Sequence, residues 1–374
     1  MDGRVEQEAE TCQAIGSLRK WYELRIASQS RTATQQRVVP VTSLLRQQQS
    51  SNDQVIQNAI EAPTINDTNK DKTVLYLGYG SNLCAETFKG KRNIQPLSQV
   101  NVVVPALSLT FDLPGIPYTE PCFGNVRYRN LDEAESVARS NSPARSDDYH
   151  KDRWSKGLVG VVYEVTMEDY AHIIATEGGG AGYKDVMVDC YALNGTINQV
   201  VPLHPEGQSF KAHTLFDPQG PKARTHAYAQ PSARYLKLIT DGAAEHALPQ
   251  EYQDFLNQIR SYRITTTKQR LGQFIFMSVW SPFFLFFLSG AQVFLKPDGT
   301  YPKWLATFLQ AMFVVIWKSY DRVFKPLFGD GERTLGDGAD DDGYDEKKKR
   351  GHGGILSEKT ALLDARTKTP ESYV

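Results

Sequence analysis

The sequence predicts an α+β domain, a small mixed β-barrel or sheet with flanking helices, followed by a C-terminal transmembrane helix or hairpin. Three observations carry this. Short apolar, β-branched runs outnumber the helical stretches and do not alternate strictly with them, which argues against a doubly wound sheet. Between Arg270 and Lys296 lie 25 consecutive uncharged residues. Both ends of the 374-residue chain, and a tract at 132–156, are strongly polar.

The elements follow in order. Residues 1–72 are rich in Gln, Ser, Thr and Asn and bury too little apolar area to offset ordering entropy, so they are expected to be disordered. Trp21, Tyr22, Leu24 and Ile26 leave room there for one short helix. Thr73–Gly78 is an apolar strand closed by glycine, and 100–104 and 107–111 look like a strand pair broken at Pro105. The tract 132–156 is an insertion between strands. Strands are expected at 158–165 and 186–193, and helices at 167–176, 233–244 and 249–262. The domain so defined covers residues 73–265.

The uncharged stretch 271–295 contains seven Phe and spans roughly 37 Å as a helix, enough to cross a bilayer core. Pro282 inside it is tolerable in a membrane helix. A second apolar run, 304–317, reads as a return helix after the turn around Pro297 to Pro302. Residues 271–320 are thus the expected membrane segment. Arg260, Arg263, Lys268 and Arg270 on one side, and Lys318, Arg322 and Lys325 on the other, put both ends and the large domain in the cytosol. The alternative reading of this half is a soluble homodimer with the apolar stretch as its interface. Residues 326–374 are expected to form a disordered charged tail.

Charge and cysteine usage exclude several classes. With 42 basic and 43 acidic side chains the net charge is −1, which removes an electrostatic reason to expect nucleic acid. Four cysteines far apart, without CxxC or His at ligand spacing, argue against structural zinc and against a disulfide framework. The segment 1–10 lacks the apolar region of a secretory signal.

Two segments carry chemistry. Tyr79-Gly80-Ser81-Asn82-Leu83 follows the first strand, and such a turn aims unpaired backbone N–H groups at a carboxylate or oxyanion. A turn that merely caps a helix through Ser81 or Asn82 would look the same. Glu177 ends a helix ahead of Gly178, Gly179, Gly180 and Gly182, with Tyr183 able to close over a ligand. A carboxylate at that end of a helix is poorly placed as a structural charge and suits a general acid/base, though a flexible loop with an exposed Glu would look the same.

Together these segments resemble the γ-glutamylcyclotransferase family. The resemblance takes in YGSNL at 79–83, GLVGVVYEV at 157–165, Glu177 to Tyr183, SARYLK at 232–237 and LPQEY at 248–252, in family order over about 72–262. It implies the family's small barrel-like fold, here with a C-terminal membrane extension of fungal type. It also implies Glu177 as the catalytic residue, with Tyr79, Gly80, Ser81, Asn82, Leu83, Tyr183 and Tyr235 binding a small γ-glutamyl substrate. The implied reaction closes the substrate's α-amine onto its γ-carbonyl, forming 5-oxoproline and releasing an amine. It needs no cofactor and no metal. The YGSN form resembles the branch acting on γ-glutamyl amino acids rather than the glutathione-specific one. A competing reading is a non-catalytic, membrane-anchored ligand-binding module on the same fold.

Overall fold

The computed structural model describes residues 39–50, 72–129, 153–177, 183–217, 229–294 and 301–335. The expectations for 1–38, most of the insertion at 132–156, the glycines after Glu177 and the tail beyond 335 lie outside them.

Five strands close into a barrel in the order β1-β5-β2-β6-β7. They are β1 (Thr73–Gly78), β2 (Ser98–Val104), β5 (Leu158–Thr166), β6 (Lys184–Ala192) and β7 (Phe210–Phe216). Strand β1 pairs antiparallel with β5 from Thr73↔Thr166 to Gly78↔Val161, and closure is a short parallel contact of Tyr76 with His213 on β7. Closure leaves no free edge, which a five-stranded open sheet would otherwise expose. Strands β1 and β5 read as unbroken apolar runs because both faces are covered. Helix α2 (Met167–Thr176), capped by Thr166 through Asp169 N–H, packs across both strands. The short α1 (Leu44–Gln49) belongs to the stretch expected to be disordered. Val41 bridges Gln99, and Arg46 Nε lies 3.3 Å from Glu164, so residues 41–50 are tied to the barrel.

Strands β3 (Leu107–Ile116) and β4 (Glu120–Tyr128) form a separate two-stranded sheet. The expected pairing of 100–104 with 107–111 is therefore corrected. Both edges of β2 are taken by β5 and β6, so β3 finds its partner in β4. Helices α3 (Ala233–Glu245) and α4 (Gln250–Gln258) complete the domain. Helix α3 comes within van der Waals range of the Leu83–Cys84 backbone at Gly242, where any Cβ would lie 2.4 Å from Leu83 C.

The largest correction concerns the C-terminal half. Among the described residues no helix is long and apolar enough to cross a membrane. The helix begins before the uncharged run, so α5 (Thr267–Gly290) carries Lys268, Gln269 and Arg270 in its first turn and Pro282 inside. Gln269 is fully buried and donates to Asp330 O at 2.7 Å, and Gln273 donates to Tyr118 O at 2.8 Å. Those turns are fastened to polar protein groups, which hydrocarbon could not supply. The return helix α6 (Lys303–Ser319) runs through a π-helical turn at Tyr320–Phe324 into α7 (Lys325–Phe328). Leu271, Phe274, Val279 and Phe283 of α5 and Trp304 and Phe308 of α6 are exposed.

A second core joins this hairpin to the domain, built of Tyr118, Phe276, Ile316, Trp317, Tyr320 and Phe324. Tyr118 comes from the β3–β4 turn with φ of 63°, a left-handed conformation that is costly for a tyrosine. It is held there by Tyr118 N–H to Gly331 O and by its hydroxyl to Gly329 O, both at 2.8 Å. Residues 330–334, expected to lie in the disordered tail, are buried as a strap. Gln230 N–H donates to Glu332 O, and Thr334 N–H donates to the Gln230 side chain. Asp330 and Glu332 share Lys325, at 2.9 and 3.6 Å.

Tyr118→Ala should cost about 3–5 kcal/mol by denaturant unfolding, as for other buried aromatics, and should make the α5–α6 hairpin an early site of proteolysis.

Candidate active site

The strand β1 delivers the YGSN segment to the C-terminal end of α2. Past Gly78 the chain turns through a 3₁₀ helix, Ser81–Leu83, closed by Leu83 N–H to Gly80 O at 3.0 Å. The N–H groups of Ser81 and Asn82 have no hydrogen-bond partner among the described residues. Behind the turn, Tyr163 donates to Asn82 O at 3.2 Å and His246 Nε2 donates to Leu83 O at 3.0 Å. Gln99 Nε2 lies 3.3 Å from His246 Nδ1, which fits a neutral ring protonated at Nε2.

Glu177 is the C-cap of α2, where the helix macrodipole opposes a negative charge. Two donors compensate it, and both reach the same oxygen. Arg92 Nη2 lies 2.6 Å and Asn82 Nδ2 3.0 Å from Oε1. Arg92 Nη1 also donates to Thr176 Oγ1. Oε2 has no hydrogen-bond donor among the described residues. The Asn82 amide donates as well to Tyr76 Oη at 2.7 Å, and this fixes its orientation, because the reverse would put its oxygen against a carboxylate. Asn82 Oδ1 is consequently buried without a partner.

Tyrosines surround the carboxylate. Burial, and after it neighbouring charge that includes Glu177, raises Tyr76, Tyr79, Tyr183 and Tyr235 well above the ordinary phenol range, so all four keep their protons. Tyr235 Oη accepts from Gly124 N–H at 3.0 Å, and a Cβ at Gly80 would come within 3.1 Å of that hydroxyl. The start of α3 sets its place. Ser232 caps Tyr235 N–H and donates to Glu120 at 2.7 Å, while Phe123 packs edge-on against the ring.

The residues singled out in the sequence divide. Glu177, Asn82, Gly80, Ser81, Tyr183 and Tyr235 converge on one place. Tyr79 is buried and spends its hydroxyl on Leu215 O of β7, and Leu83 is fully buried with its N–H used in the turn. The Tyr79 hydroxyl and the Leu83 N–H are thus engaged within the protein. Sequence reading missed Arg92, Tyr76 and His246. Arg92 sits in the run KGKRN, which looks like surface charge, and Tyr76 is one more aromatic in a core strand.

Burial lowers the pKa of His246 to about 4, against the Leu83 hydrogen bond that favours the charged ring. The folded state then binds fewer protons than the unfolded one between the ordinary value of 6.5 and about 4. About 3 kcal/mol of stability should therefore disappear as the pH falls through that window. Thermal melts from pH 7 to 4 would read it, and His246→Gln should flatten that part of the curve.

Comparison with known proteins bears on residues at both ends of the described chain. Residues 266–327 match the family model described as the AclK C-terminal domain. The γ-glutamyl cyclotransferase verK of Clonostachys rogersoniana is 31% identical over 175 residues, 44% of this chain and 83% of that protein. The γ-glutamyl cyclotransferase aclK of Aspergillus oryzae is 29% identical over 286 residues, covering 74% of this chain and 95% of the relative. That of Aspergillus fumigatus, gliK, is 27% identical over 260 residues, 69% and 89%. A solved structure named γ-glutamyl cyclotransferase covers 52% of this chain and 93% of its own, with 19% identity and a TM-score of 0.35.

Proposed function

The chain belongs to the γ-glutamyl cyclotransferase family, and we propose that it cyclises a γ-glutamyl amino acid or peptide to 5-oxoproline with Glu177 as general acid/base. The observation that carries this reading is the half-tied carboxylate. Oε1 is held by Arg92 and Asn82, and Oε2 is left to exchange a proton inside a ring of protonated tyrosines.

In the proposed reaction Oε2 takes a proton from the substrate's α-ammonium. The freed amine attacks the γ-carbonyl carbon, and the carbonyl oxygen gains negative charge. The N–H groups of Ser81 and Asn82, which lack partners among the described residues, are the available donors to that oxyanion. Glu177 passes its proton to the leaving nitrogen as the intermediate collapses and that bond breaks. The second proton, shed by the newly acylated ring nitrogen, goes to the released amine, which departs as an ammonium. Nucleophile and electrophile are parts of one molecule, so the protein's main task is to hold the substrate folded back on itself. The buried, unpartnered Asn82 Oδ1 is a further acceptor beside Glu177.

The purified full chain should form 5-oxoproline from γ-glutamyl-alanine or glutathione, followed by mass spectrometry. Glu177→Gln keeps the shape, removes the exchangeable charge, and should lower kcat by about 10²–10⁴-fold. A wild-type protein that yields no product from either substrate, or a Gln variant as active as wild type, would overturn the catalytic assignment and leave the ligand-binding module.

A further inference from the structure

The guanidinium of Arg92 has its two arms on consecutive residues, Nη2 on Glu177 Oε1 at 2.6 Å and Nη1 on Thr176 Oγ1. Thr176 Oγ1 is in turn fixed to His172 O at 2.9 Å and Ile173 O at 3.1 Å, one turn back in α2. One planar fork thus spans the end of the helix. A cation there also sits at the favourable pole of the macrodipole that opposes the Glu177 charge. The pair is largely shielded, with the Arg92 side chain 11% and the Glu177 side chain 20% exposed, so it is screened less than a surface pair.

Geometry separates this arrangement from an ordinary ion pair. A guanidinium and a free carboxylate favour the two-oxygen, side-by-side mode. Here Arg92 and the Asn82 amide crowd onto Oε1, and the second arm of the fork is diverted to Thr176. The cost is an incompletely satisfied carboxylate in a pocket. The result is one oxygen held by two donors and one without a donor among the described residues.

We propose that Arg92 is the positioning residue of this site: with Asn82 it locks Oε1 of Glu177, so that Oε2 is the oxygen presented to the reacting amine. The inference rests on the cyclotransferase reading for its kinetic consequences and on the side-chain geometry alone for the clamp. Arg92 acts through Glu177 and does not touch the substrate, so its loss lowers kcat and leaves KM nearly unchanged. Lysine supplies a single point charge in place of a fork and restores the function in part.

The test uses the full chain with γ-glutamyl-alanine. Arg92→Ala should lower kcat at least tenfold with KM changed less than threefold. Arg92→Lys should fall between it and wild type, Thr176→Val should lower kcat more weakly, and millimolar methylguanidinium should restore the Ala variant several-fold. Guanidinium should not restore Arg92→Ala/Glu177→Gln. Wild-type kcat in the folded Ala variant overturns the proposal. So does a rise in KM at unchanged kcat, or a loss that neither lysine nor methylguanidinium repairs. Should wild type itself be inactive, the catalytic reading falls and the clamp is judged by thermal unfolding of Arg92→Ala, Glu177→Gln and the double variant. Non-additive shifts in melting temperature sustain the clamp, and additive shifts overturn it.

Discussion

The constraint on which the site depends is a negative charge at the negative end of a helix. Glu177 ends α2, and no residue of its own helix neutralises it. Its counter-charge, Arg92, and its amide donor, Asn82, come from about 85–95 residues earlier in the chain. They arrive because β1 pairs with β5, the strand that runs directly into α2. One ladder thus sets both halves of the clamp: β1 ends in the turn that carries Asn82, and β5 ends in the cap that starts the helix carrying Glu177. Closure through β6 and β7 then brings Tyr183 to the same place, since it immediately precedes Lys184 of β6.

A second constraint lies at Tyr118. A tyrosine in a left-handed turn is tolerable only where its surroundings repay the strain, and here it is the centre of a separate aromatic core. Its neighbours come from α5, the π-helical turn and the strap at 330–334. The strap also bonds Gln230, two residues before the Ser232 cap that sets Tyr235. The strap is thereby bonded to the segment that leads, two residues on, into the cap of Tyr235. The first turns of α5 are accordingly used in holding the strap and the β3–β4 turn.

Legibility followed the range of the interaction. Strand β1, strand β5 and helix α2 were readable because each is fixed by its own apolar pattern and cap. Glu177 and the YGSN turn were readable because glycines mark places where backbone comes close to something else. Strand β4 and strand β7 were not, since EPCFGNVRY mixes turn residues and charge with a strand and FKAHTLF hides a buried histidine. His213 is hidden because Asp185, on the neighbouring strand, is its partner at 2.9 Å. Arg92 was invisible for the same reason, its meaning lying wholly in Thr176 and Glu177.

By itself the sequence determined the local elements, the position of the acid and the turn beside it, and the family, because propensity, capping and glycine placement are properties of neighbouring residues. Tertiary structure alone decided which oxygen of Glu177 is held, that the Tyr79 hydroxyl is spent on Leu215 O, and that 330–334 belong to the folded body. Each of those depends on a hydrogen bond between residues far apart in the chain, and only closure of the barrel and docking of the hairpin bring such pairs within 3 Å or so.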